Sequence, residues 1–108
     1  MAKKSWTLID LEKNLNERSL AITRDDVPAD TEFSVRRFTF EGGVRTGVEG
    51  IEIDNGRLRF VVLPTRGMGL WKAWLGSFEL GWRSPVRGPV HPAFVNLADP
   101  SGLGWLDG

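Results

Sequence analysis

Cysteine is absent from this 108-residue chain. Disulfides, thiolate-held zinc and cysteine nucleophiles are therefore excluded, a usage that fits a reducing compartment. An excess of either charge is also missing, because Lys plus Arg and Asp plus Glu each number 14. A neutral surface offers phosphate backbones no electrostatic footing, so nucleic acid is not an expected partner. Nor is there a polybasic cluster to hold an anionic membrane. Long hydrophobic runs are lacking too. Met1-Ala2-Lys3-Lys4-Ser5-Trp6 leads straight into Thr7, Asp10, Glu12 and Lys13, which is too polar for a signal peptide or a spanning helix. The expectation is a soluble cytoplasmic protein, without nucleic acid or membrane as partner, of a length that fits one small domain.

Glycine is missing before Gly42, and all 13 glycines lie from there onward. Charge runs the other way: it crowds residues 1–41, and after Arg87 only Asp99 and Asp107 remain. A stretch so poor in charge and rich in Gly, Pro and Trp reads as buried, irregular loop rather than solvated tail.

Near the start, Leu8, Leu11 and Leu15 stand at helical spacing while Leu20 and Ile22 alternate, so a short helix or turn followed by a strand is expected. Arg24 to Thr31 is a loop punctuated by Pro28. The period then becomes two. Phe33, Val35, Arg37 and Thr39 face one way, and Ser34, Arg36, Phe38 and Phe40 the other, up to the Gly42-Gly43 turn. Val48 to Ile53 and Leu58 to Leu63 flank Asn55-Gly56, the strongest short-range hairpin signal, with both turn residues expected at positive φ. Leu70 to Leu75 and Phe78 to Arg83 form a further pair around Gly76-Ser77. Pro85, Pro89, Pro92 and Pro100 exclude a long helix or central strand beyond them. Successive hairpins without intervening helices make an all-β antiparallel meander.

Such a sheet needs at least one face covered, and the rest of the sequence offers little cover. Trp71, Trp74, Trp82 and Trp105 all call for burial. The final Gly-Leu-Gly-Trp-Leu-Asp-Gly is apolar and without a polar end. The expectation is a sheet completed by more chain, or by a neighbour in an oligomer.

Four residues are candidates for a site. Arg66 follows a strand inside Pro-Thr-Arg-Gly, where glycine lets backbone approach a ligand and a guanidinium fork can donate to sugar hydroxyls. Equally, Arg66 could pair with Glu79 or bond strand-end carbonyls. His91, the single histidine, is the catalytic candidate as a general acid, although a loop histidine bonded to backbone is the commoner case. Trp82 and Trp105, each in a Gly-Trp context, are the better candidates for a platform under a pyranose ring, with core packing as the plainer role. Glu52 with Asp54 and Asp25 with Asp26 lack further ligands and read as a solvated face and a turn, so no metal is expected. Gly67-x-Gly69 and Gly102-x-Gly104 lack the third glycine and the helix of a dinucleotide site, so no cofactor is expected.

Leu63-Pro64-Thr65-Arg66-Gly67-Met68, Leu80-Gly81-Trp82-Arg83-Ser84-Pro85, His91-Pro92 and Gly102-Leu103-Gly104-Trp105-Leu106-Asp107-Gly108 resemble the aldose 1-epimerase-related, galactose mutarotase-like proteins. The resemblance is to their DUF4432 branch in particular, over roughly residues 33–108, with 1–32 as a charged N-terminal segment. It implies the N-terminal portion of a large β-supersandwich whose concave face binds a monosaccharide. Active members interconvert sugar anomers with a histidine acid and a glutamate base, and the family's His-Gly-Arg type motif is not present here. His91 stands in His-Pro and does not match it, whereas Arg66 does fall on a family motif. The fragment alone is expected to be inactive. A non-catalytic carbohydrate-binding or sensing module, or a structural β-protein, are the alternatives.

Overall fold

The computed structural model describes residues 4–17, 19–27, 31–81, 83–85 and 88–102. Alternating sequence becomes strand, and each glycine-bearing break becomes a reversal. β1 (Ile9–Asp10) and β2 (Leu15–Asn16) form a small hairpin. β3 (Ala21–Thr23), β4 (Ser34–Thr39), β5 (Glu49–Asp54), β6 (Leu58–Leu63), β7 (Gly69–Leu75) and β8 (Phe78–Leu80) form one six-stranded sheet. They pair antiparallel in sequence order, so the fold is an all-β meander. Three single 3-10 turns, Gly43–Arg45, Pro64–Arg66 and Pro92–Phe94, are the other regular pieces among the described residues. None of the described helices is long and apolar enough to cross a membrane.

The leucine spacing at the N-terminus resolves into a turn. Asn14 takes the left-handed conformation at φ 51°, and the Asp10 carboxylate accepts from the N–H groups of Glu12 and Lys13. The side chain thus satisfies the donors that a helix would have used, which is how Asp favours turns over helix interiors. The Asn55-Gly56 hairpin is present, with a different turn from the one its dipeptide suggests. Asp54 pairs with Arg59, so the loop is longer than two residues, and only Gly56 of the dipeptide has positive φ. Asn55 closes the loop with its side chain: Oδ1 accepts from the N–H groups of Arg57 and Leu58. Asp54 Oδ1 accepts from Gly56 N–H in the same turn.

Register separates the two faces of the sheet. One carries Phe38, Val61 and Leu63, which with Val48, Phe40, Trp71 and Trp74 form the main apolar cluster. Phe38 lies directly across from Gly50, whose missing side chain leaves room for the ring. A register shift between Val61 and Val62 inserts one extra residue into β7. The bulge puts Trp71 on the same side as Lys72, edge-on to Phe40 at 5.1 Å, instead of on the opposite face. Charged residues share this face further along: Glu52 pairs with Arg36 and Arg59, and the Arg59 guanidinium lies 4.0 Å from the Trp74 ring centre. The Glu52 carboxylate is thus part of an ion-pair ladder.

The other face is apolar through Val35, Ile51 and Ile53, then Phe60 and Val62, and on to Leu75 and Phe78. Its polar exceptions gather at one end, Thr39, Glu49 and Arg37, the last only 5% exposed. That guanidinium donates to the carbonyls of Leu8 and Glu17 and pairs with Glu49 at 3.4 Å. Arg37 therefore bolts the N-terminal hairpin over one end of this face. The β6–β8 end has no such cover among the described residues.

Candidate functional site

Pro64 ends β6, and its ring pre-sets the φ needed to start a 3-10 turn. Gly67 then takes φ 67° and Met68 φ 59°. Two successive left-handed residues, one of them carrying a side chain, are uncommon, and such backbone tends to gather at functional positions. Met68 N–H returns to the Leu63 carbonyl and closes the loop. Thr65 fixes it to the sheet from the side, its hydroxyl accepting from Glu49 N–H at 2.9 Å.

Arg66 emerges from this braced turn half-buried, with no hydrogen-bond or ion-pair partner among the described residues. The two bland partners are otherwise engaged or unused: Glu79 pairs with Lys72 at 3.4 Å, and no strand-end carbonyl accepts from Arg66. A half-buried guanidinium has already lost part of its hydration, and its five donors are free to meet an incoming oxygen.

His91 is carried to the same end of the sheet. Its N–H donates to the Val44 carbonyl, and its ring packs over Gly47, where a Cβ would lie 3.3 Å from Cδ2. Gly47 lies two residues before Glu49, where β5 begins, so the anchors of His91 and of the Arg66 turn are at most about 7 Å apart along the chain. The His91 side chain also serves its own loop, with Nδ1 accepting from Ala93 N–H. A neutral imidazole so held carries its proton on Nε2, which leaves a donor available. The backbone-bonded role and the donor role therefore coexist in one ring.

Glu49, the carboxylate at this end, accepts from Arg37 Nε and from the Thr39 hydroxyl and is committed to the frame. Trp71 and Trp74 pack against the apolar cluster, Trp74 beneath Arg59, which is the plain core role. Trp82 and Trp105 lie outside the described residues. Shallow open depressions occur at the far end of β5, around Asn55-Gly56-Arg57 with Glu32. No group of three side chains able to hold a metal ion occurs among the described residues.

Sequence signal for Arg66 lay in its Pro-Thr-Arg-Gly-Met context. Thr65, which braces its turn, carries no such signal, because its partner is a backbone N–H on a strand 16 residues earlier.

Residues 45–108 match the family described as a domain of unknown function, DUF4432. The chain belongs to that family. In three dimensions this DUF4432 chain is similar to the crystal structure of a candidate aldose 1-epimerase from Klebsiella pneumoniae subsp. pneumoniae, with a TM-score of 0.89 and 34% identity. The match covers 97% of this chain and 28% of that one, so the chain spans little more than a quarter of that protein's length. No curated protein matches the chain. The similarity supports a sugar-related function in general, and the all-β meander agrees with the galactose mutarotase-like fold.

Proposed function

We propose that this chain supplies one wall of a monosaccharide site in an aldose 1-epimerase-like protein, with Arg66 as its principal contact. The observation that carries the reading is the unpartnered, half-buried Arg66 in a turn held by Gly67, Met68 and the Thr65–Glu49 bond. Similarity to a candidate aldose 1-epimerase supports the ligand class.

The Arg66 guanidinium presents donors only, so its role is to donate to hydroxyl or ring oxygens and to orient the sugar. It cannot take a proton. His91 Nε2–H can donate a hydrogen bond to a sugar oxygen, whereas protonating the ring oxygen as the ring opens would require the imidazolium, whose Nδ1–H could no longer accept from Ala93 N–H. A base must take the proton from the anomeric hydroxyl in the same step. Glu49 is engaged by Arg37 and Thr39, so that base is expected from outside the described residues. Trp82 and Trp105 remain candidates for the platform beneath the ring.

The commitment of Glu49 also favours a second reading, a binding or sensing module that uses the same wall without catalysis. Tryptophan-fluorescence titration with a panel of aldoses tests the common core of both. Saturable quenching weakened about tenfold or more by Arg66→Ala, with the thermal midpoint unchanged, supports the site. Equal affinity in the variant removes Arg66 from it. NMR exchange between anomers then separates catalysis from binding alone.

A further inference from the structure

Unpaired positive charge gathers at the Arg66 end of the sheet. Along the strands the cations have their carboxylates: Arg36 and Arg59 share Glu52, and Lys72 takes Glu79. At the Arg66 end the Glu49 carboxylate is already taken by Arg37, so that pair adds no net charge. Arg66 has no carboxylate partner among the described residues, and neither has Arg45, which stands two residues before the Gly47 that His91 packs over. Arg45 is held in place all the same. Its Nε donates to the Glu41 carbonyl at 2.8 Å, and its Nη2 lies 3.5 Å from where a Cβ on Gly42 would be. Its stem passes 3.8 Å from the corresponding point on Gly88. Both glycines have positive φ, 99° and 82°, and their missing side chains leave room for the arginine. With Nε engaged, the Nη pair is the edge left to donate. Glu41 is exposed and makes no ion pair with a described cation.

We propose that the sugar recognised here is anionic, a monosaccharide whose carboxylate or phosphate group is held by Arg66 and Arg45. The inference rests on the reading of this end as a sugar site and adds the charge of the ligand to it. A half-buried guanidinium has given up part of its hydration, and hydroxyl oxygens satisfy its hydrogen bonds while leaving its charge unbalanced. An oxyanion does both, through bonds that are shorter and roughly twice as strong, and its two oxygens match the planar fork. Placement suits one small ligand. Arg45 lies four residues before Glu49, whose N–H braces the Arg66 turn through Thr65, so the two arginine anchors are bounded by about 14 Å of chain. That is within reach of two long side chains closing on one sugar. The chain as a whole is neutral, so the surplus at this end is local and steers negative solutes toward it.

Amide NMR and tryptophan-fluorescence titrations of the 108-residue chain decide the charge of the ligand. Glucuronate, galacturonate and the corresponding hexose phosphates are compared with glucose and galactose at low ionic strength. At least one anionic sugar is expected to bind about tenfold or more tighter than its neutral parent, and the arm that does so identifies carboxylate or phosphate. Raising the salt to about 1 M is expected to shrink that ratio, because Arg45 is exposed and its charge is screened. Arg45→Gln and Arg66→Gln are each expected to lower the ratio about fivefold or more, whereas Arg57→Gln, at the far end of β5, leaves it as it was. Equal affinity for charged and neutral sugars, with shifts at Thr65 to Met68, would overturn the inference and leave the sugar site standing. So would a preference that survives both arginine changes. Inorganic phosphate and acetate binding as tightly as the charged sugars would also overturn it, by making the site one for a bare anion. No shift with any sugar, charged or neutral, would remove the sugar site and the inference together.

Discussion

Gly50 shows how one residue sets a neighbour's place. It is a strand glycine in ordinary extended backbone, and what requires it is the ring of Phe38 lying where its Cβ would be. Gly50→Ala would push that ring off Val48 and Val61 and is expected to cost about 1–3 kcal/mol, read as a lowered urea midpoint. Asp99 makes a second local case. The Ser101 hydroxyl, and then the Ser101 N–H, donate to its carboxylate and hold its pKa below the ordinary 3.8. A carboxylate depressed in the folded state stabilises above its unfolded value and loses that contribution as pH falls through the folded one. Its carbon chemical shift should therefore titrate at a midpoint below 3.8 in the parent and move upward in Ser101→Ala, since that change removes the larger cause. A midpoint unmoved by Ser101→Ala would show that the turn bond is not formed in solution.

Among the elements, β4 to β7 could be read directly, because strict alternation has one meaning when glycine-marked turns bracket it. Other features depended on contacts that no local pattern carries. Leu8, Leu11 and Leu15 stand at helical spacing, yet Leu11 is 90% exposed and the segment is a hairpin, since a tight turn between very short strands yields the same spacing. The bulge in β7 is a property of its register against β6, so the side on which Trp71 lies could not be known from β7 alone. Of the candidate site, Arg66 and His91 stand out in the sequence as residue types in context. Their shared anchorage at Gly47–Glu49 was not, because it rests on bonds from Thr65 and contacts from the 88–95 loop. The N-terminal hairpin depends on a single side chain. Arg37→Ala would leave the carbonyls of Leu8 and Glu17 and the carboxylate of Glu49 without their donor. The expected cost is about 3 kcal/mol, together with faster amide exchange confined to residues 8–17 and the strands beneath. Uniformly faster exchange would instead mean that the hairpin and the sheet unfold as one unit.

As a whole molecule, the chain is one sheet with a divided character: an aromatic and charged face, and an apolar face closed at one end only. Burial is correspondingly thin, with Val48 and Val61 the largest fully buried side chains among the described residues. Stability is therefore expected to be low for the chain alone and to rise when its apolar face is occupied, by simple mass action. The site proposed at the Arg66 end belongs to the same description, since the braced turn would form one side of it and the described residues do not provide the other. The most direct measurement of that claim is backbone amide NMR of the 108-residue chain titrated with aldoses to saturation. Binding at the wall is expected to shift the amides of Gly47, Glu49, Thr65 to Met68 and His91, and to leave the Asn55–Arg57 turn at the far end of β5 unmoved. Shifts centred on Asn55–Arg57, or none with any aldose, would contradict it.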